Sequence, residues 1–162
     1  MSNTTTKTLT VSTPSDREIA LTRVFTAPRA LVFDALTKPE LVQRWMLGNM
    51  GASMLVCEID LRAGGAYRFV WRNPDGTEMA MMGVYREIVR PERIVNTQRF
   101  DTPWLPGEFV LTTTLVESGG KTTFTSTTLF DSVEMRDKML KSGMESGASA
   151  SYDRLEAFLA SI

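Results

Sequence analysis

Between residues 53 and 130 apolar and polar positions alternate with a period of two. On either side of that stretch the apolar spacing is three and four. The alternation predicts six strands, over 53–61, 66–72, 77–89, 93–100, 108–117 and 121–130. Turn residues separate them: Gly64-Gly65, Asn73-Pro74-Asp75-Gly76, Arg90-Pro91-Glu92 and Ser118-Gly119-Gly120. A seventh strand is expected over 17–26, where Ile19 and Leu21 alternate before Val24 and Phe25 break the parity. Pro28 suits the first turn of a helix whose stripe is Val32, Ala35 and Leu36. Thr37 and Glu40 fit a capping box for a second short helix, with Pro39 in its first turn and Leu41, Val42 and Trp45 as its apolar face. Gly48–Gly51 ends that helix. Asp131 or Ser132 is expected to cap one long helix running to about residue 161. Its stripe is Leu140, Met144, Ala148, Ser151, Tyr152, Leu155, Leu159 and Ile162, with Gly143 and Gly147 in its interior. Residues 1–16 read as a mobile arm, in which Leu9 and Val11 could extend a strand, and 17–162 as a single domain.

Strand, two short helices, six strands and a long helix make an α+β domain. A helix of about 30 residues is roughly 45 Å long, enough to lie across a curved antiparallel sheet. Gly143, Gly147, Ala148 and Ser151 are small and would leave a gap against that sheet. Tyr67, Phe69 and Trp71 share one strand face. Pairing Arg72 with Glu78 sets Trp71 opposite Met79, Phe69 opposite Met81 and Tyr67 opposite Gly83. A slip of one residue would turn Ala80, Met82 and Val84 inward instead. The aromatic row serves either as ordinary core or as the wall of a small-molecule pocket. Tyr85 and Tyr152 could present phenols to a ligand, and Gln98, Thr113 and Ser126 fall on alternating positions that could add polar contacts.

These features resemble the START/Bet v 1-like helix-grip superfamily (SRPBCC), and within it the group similar to the C-terminal domain of the Activator of Hsp90 ATPase (AHSA1-like). The residues that carry the resemblance are Ala27-Pro28 with Val32-Phe33, and Lys38-Pro39-Glu40 with Arg44-Trp45. They continue with Asp60-Leu61-Arg62 before Gly64-Gly65, Pro74-Asp75-Gly76, Gly83-Val84-Tyr85-Arg86-Glu87, Pro91-Glu92-Arg93-Ile94 and Tyr152-Asp153-Arg154-Leu155. The resemblance runs from about residue 17 to 162. It implies a curved antiparallel sheet wrapped around the C-terminal helix, two short helices between the first and second strands, and an internal hydrophobic cavity. Where members commonly carry Gly-Trp in the last helix, this chain has Gly147-Ala148, a change expected to enlarge the cavity or lower its roof.

By that resemblance the chain binds an apolar or aromatic small molecule, with no cofactor. The implied ligand contacts are Trp45 from the second short helix, Phe69, Trp71, Met81 and Tyr85 from the sheet, and Met144, Gly147, Ala148 and Ser151 from the last helix. Trp104, in a loop between Pro103 and Pro106, is expected as a lid. Two other activities share the fold: a polyketide cyclase or aromatase, and association with an Hsp90-type chaperone. A homodimer is left open.

Composition narrows the chemistry. Histidine is absent, so no Ser-His or Cys-His pair and no imidazole base can form. Cys57 is the only cysteine, which rules out an intrachain disulfide and a thiolate zinc cluster, and it reads as an inert thiol. No carboxylates cluster at metal-loop spacing, so no metal is expected. A net charge of −1 gives no field to recruit nucleic acid. No apolar run approaches the ~20 residues that cross a bilayer, and without an apolar leader a cytoplasmic location is expected. Asp60 with Arg62, and Glu87 with Arg93, read as ion pairs flanking turns. Gly64-Gly65 lacks the pattern of a phosphate loop.

Overall fold

A computed structural model of the chain describes residues 9–46, 51–101 and 106–162. The expectations for Trp104, for residues 1–8 and for the helix end at Gly48 lie outside the described residues. The described elements run β1 (Thr10–Ser12), β2 (Glu18–Phe25), α1 (Arg29–Thr37), α2 (Pro39–Trp45), β3 (Ser53–Ile59), β4 (Ala66–Arg72), β5 (Glu78–Val89) and β6 (Arg93–Phe100). They end with β7 (Phe109–Ser118), β8 (Lys121–Leu129), α3 (Val133–Leu140) and α4 (Met144–Ser161). The eight strands form one antiparallel sheet in the order β1-β2-β8-β7-β6-β5-β4-β3. Within the segment expected as an arm, Val11 pairs with Leu21 and Leu9 is buried.

The expected register of β4 and β5 is the one observed: Arg72 opposite Glu78, Trp71 opposite Met79, Phe69 opposite Met81 and Tyr67 opposite Gly83. The turn ion pairs Arg62–Asp60 and Arg93–Glu87 are formed as well. A bulge between Tyr85 and Glu87 shifts the parity of β5, so that Ile88 packs on the core after Tyr85. Gly83 lets β6 press close. A Cβ there would stand 1.9 Å from the Thr97 carbonyl oxygen and 2.8 Å from Tyr67 Cε1.

Two local expectations are corrected. The capping box at Thr37 does not form. Helix α1 runs through Thr37, whose hydroxyl turns back to donate to the Phe33 carbonyl at 2.7 Å, and Lys38 becomes the N-cap of α2. The single helix expected over 131–161 is two helices. Ser132 does cap the first, accepting from Met135 N–H. The helix then stops, because Gly143 takes a left-handed φ of 82°. Ser142 closes its end, with N–H and hydroxyl both donating to the Met139 carbonyl. The helix-grip arrangement survives the break, since the 18-residue α4 remains long enough to lie across the sheet.

The principal core joins sheet, α1, α2 and α4 through Phe25, Val32, Phe33, Val42, Trp45, Phe124 and Leu155. A smaller cluster lies under α3, where Met135, Met139 and Met144 pack on Ile19, Phe109 and Phe130. Methionine suits this seam because its flexible side chain fills irregular space.

Candidate functional site

Between the sheet's inner face, α2 and α4 lies a pocket of about 350 Å³, at the small end of ligand-binding cavities. Two cross-strand rows form its floor. Tyr85, Asn96, Leu111, Thr128 and Ile19 are successive partners across β5, β6, β7, β8 and β2. Ile94, Thr113, Ser126 and Leu21 make the adjacent row. Every one of these residues lines the pocket. Period-two side-chain direction puts them there. Gln98, Phe100, Phe109 and Phe130 extend the floor toward α3, while Met139, Met144, Ala148 and Tyr152 roof it.

Aromatic contacts hold the walls. Tyr152 lies tilted against both neighbours, 5.0 Å from Phe124 and 6.2 Å from Trp45, centroid to centroid. Tyr67 lies 5.4 Å from Phe69 and 5.3 Å from Tyr85. Trp45 is fixed by its indole N–H, which donates to the Ala35 carbonyl at 2.8 Å.

No lining side chain among the described residues carries a charge. The polar content is neutral: three phenols, two amides and three hydroxyls of Ser and Thr. Tyr67 is satisfied, donating to the Thr97 carbonyl at 2.6 Å and accepting from Asn96 Nδ2 at 3.0 Å. Among the described residues the hydroxyls of Tyr85, Thr113, Ser126, Thr128 and Tyr152 and the amide of Gln98 have no protein hydrogen bond, yet none is sealed from solvent. Such groups stay hydrated or take a ligand's polar atoms. Burial pushes the Tyr152 phenol up to about 12 and also raises Tyr67 and Tyr85, the Asn96 hydrogen bond partly offsetting this at Tyr67.

Of the residues singled out in the sequence, Trp45, Phe69, Met81, Tyr85, Met144 and Ala148 converge on the pocket, and Tyr152, Gln98, Thr113 and Ser126 join them. Trp71 is buried beside Phe69, outside the lining, its indole donating to the Met46 carbonyl at 2.9 Å. Ser151 accepts from Arg154 instead. Gly147 faces solvent, with open space around it. Cys57 is half-buried with its thiol pushed up to about 11 by burial, and its Sγ points to the Pro39 carbonyl. Asn96, Leu111, Thr128 and Ile19 were not anticipated, although inward parity marks each. Among the described residues no cluster of potential metal ligands occurs and no helix is long and apolar enough to cross a membrane.

Fold and element order together define a helix-grip domain. Residues 26–160 match the Activator of Hsp90 ATPase homolog 1-like protein family, and the chain belongs to it. A crystal structure of a Rhodobacter sphaeroides protein superposes with a TM-score of 0.90 at 25% identity, covering 96% of this chain and 99% of that one. A Staphylococcus epidermidis protein solved by NMR gives 0.82 at 27% identity, covering 94% of each chain. A Chromobacterium violaceum crystal structure gives 0.74 at 30% identity, covering 90% of this chain and 98% of that one. No functionally curated protein matches the sequence.

Proposed function

We propose that this protein binds an uncharged, largely aromatic small molecule in the pocket between sheet and α4. One observation carries the reading: the lining is aromatic and aliphatic, has no charged side chain among the described residues, and presents neutral hydroxyls and an amide without protein partners. An ionised ligand group would be buried there without a counter-charge, which is costly. Apolar burial with a few neutral hydrogen bonds is compatible with affinity on the order of micromolar. Trp45, Phe69, Met81, Tyr85, Met144 and Ala148 supply the contacts in this reading, which also carries a cytoplasmic location. The titratable groups of the lining are phenols raised above their ordinary range, so they do not favour the cyclase reading, which needs a proton-transfer group near neutral pH.

Thermal shift and native mass spectrometry with 2-naphthol and 2-naphthoate test the proposal. The neutral compound should give a retained adduct and a concentration-dependent rise in Tm. Its anionic counterpart should give neither, and an equal response to both would overturn the reading.

Family membership favours a second reading, association with an Hsp90-type chaperone. Retention of such a chaperone by the immobilised protein, unaffected by filling the pocket, would favour it over the first.

A further inference from the structure

Most polar groups of the pocket can change the sense of their hydrogen bond. A hydroxyl rotates, and the unpartnered Gln98 amide can present either end. Asn96 cannot. Its side-chain amide lies 3.0 Å from the Thr97 carbonyl oxygen and 3.0 Å from Tyr67 Oη. The Thr97 carbonyl only accepts, so the Asn96 atom facing it must be the NH₂ group. Tyr67 Oη spends its own proton on that same carbonyl at 2.6 Å, and so accepts from Asn96. Both contacts therefore fix the same orientation. The absent side chain of Gly83 permits it, because any Cβ there would collide with the Thr97 carbonyl and with the Tyr67 ring. Val84 N–H, for its part, donates to the Thr97 hydroxyl at 2.9 Å.

With its nitrogen committed, Asn96 is left with Oδ1. That atom accepts no protein hydrogen bond and is not sealed from solvent, and Asn96 lines the cavity. We infer that Asn96 is a specificity-determining residue: its Oδ1 is a fixed acceptor that selects ligands bearing a neutral hydroxyl donor, an alcohol or a phenol. The inference rests on the pocket reading above and adds to it the sense of one hydrogen bond. A ligand offering only an acceptor at this point would set two lone-pair-bearing oxygens against each other and leave Oδ1 dry and unpaired.

Isothermal titration of the wild type with 2-naphthol, 2-methoxynaphthalene and naphthalene tests it, since the ether keeps the oxygen and loses the donor. The naphthol should bind about five- to tenfold more tightly than the ether. Asn96→Leu should bring the two within about twofold while still binding naphthalene. Should that variant fail to fold, ¹³C labelling of the wild type gives the same information, the Asn96 side-chain carbonyl resonance moving with the naphthol and not with the ether. Equal affinities in the wild type, or a preference that persists in Asn96→Leu, would overturn the inference and leave the pocket reading standing. Failure of all three compounds to bind would overturn both.

Discussion

Arg23 on β2 reaches across the interface to Asp153 on α4, with Nη1 2.6 Å from Oδ1. The pair is lopsided: the arginine side chain is 2% exposed and the aspartate 65%. Arg23 shares the inward parity of Leu21 and Phe25, a position where an apolar residue would be the ordinary choice. Its guanidinium lies 5.4 Å from the centre of the Phe25 ring, and its Nε is buried without a partner. Removing Asp153 strands a buried charge, whereas removing Arg23 also removes the unsatisfied nitrogen. Asp153→Ala should therefore cost about 1–2 kcal/mol, the exposed partner moderating the loss. Arg23→Met should cost less. Urea midpoints at unchanged m-value read the difference, and a larger loss in Arg23→Met would contradict this account.

The same substitution should have opposite signs at two glycines. Gly83→Ala drives a methyl into the Thr97 carbonyl and Tyr67 ring, at 1.9 and 2.8 Å. Backbone resists displacement, so a loss of at least about 3 kcal/mol is expected. Gly147→Ala meets nothing within 4 Å and lies inside α4, so it should stabilise by about 0.5–1 kcal/mol. Chemical denaturation of the two variants checks both signs.

Stability should be level through neutral pH and fall in alkali. Tyr152 titrates at about 12 in the fold and near 10 when unfolded, and Tyr67 and Tyr85 are raised as well, all by burial. Above the unfolded value the unfolded chain sheds phenolic protons that the native state retains, so the unfolded state gains and stability drops as pH rises. Their stabilising effect is complete below about pH 10 and is lost as pH climbs through the folded values. Urea midpoints against pH, with tyrosinate absorbance alongside, should show the decline beginning near pH 9, where the unfolded chain first loses the Cys57 proton that burial retains to about 11, and steepening above about pH 10 as the phenols follow. Tyrosinate absorbance with unchanged stability there would contradict the burial of the phenols.

Most of the fold could be read because strand alternation and turn chemistry agree. Asn73-Pro74-Asp75-Gly76 sets the β4–β5 register, and that register decides which aromatics face inward. The helix break at Gly143 was not legible from spacing, because Leu140 and Met144 keep the interval of four across it. The relevant signal is Ser142-Gly143, a C-terminal cap whose left-handed glycine interrupts an otherwise unbroken apolar stripe. Parity named the face of Trp71 but not its depth, and the indole sits past the cavity beside Phe69. Gly147 is small enough to leave space beside the sheet, yet the face holding Met144, Ala148 and Tyr152 at intervals of four passes it by. Asn96 lies on the inward parity of Ile94 and Gln98. Its importance rests on a close approach of β6 to Gly83, a tertiary fact that no local pattern encodes.

The most direct test of the central claim compares binding of a neutral aromatic ligand by the wild type and Ala148→Trp. Ala148 lines the roof of the cavity, and an indole there should occupy the space that the ligand needs. Titrated with 2-naphthol, the wild type should show saturable one-to-one binding. In Ala148→Trp, with an unchanged far-UV spectrum, affinity should fall at least about tenfold. Undiminished binding by the folded variant would place the ligand elsewhere and contradict the account.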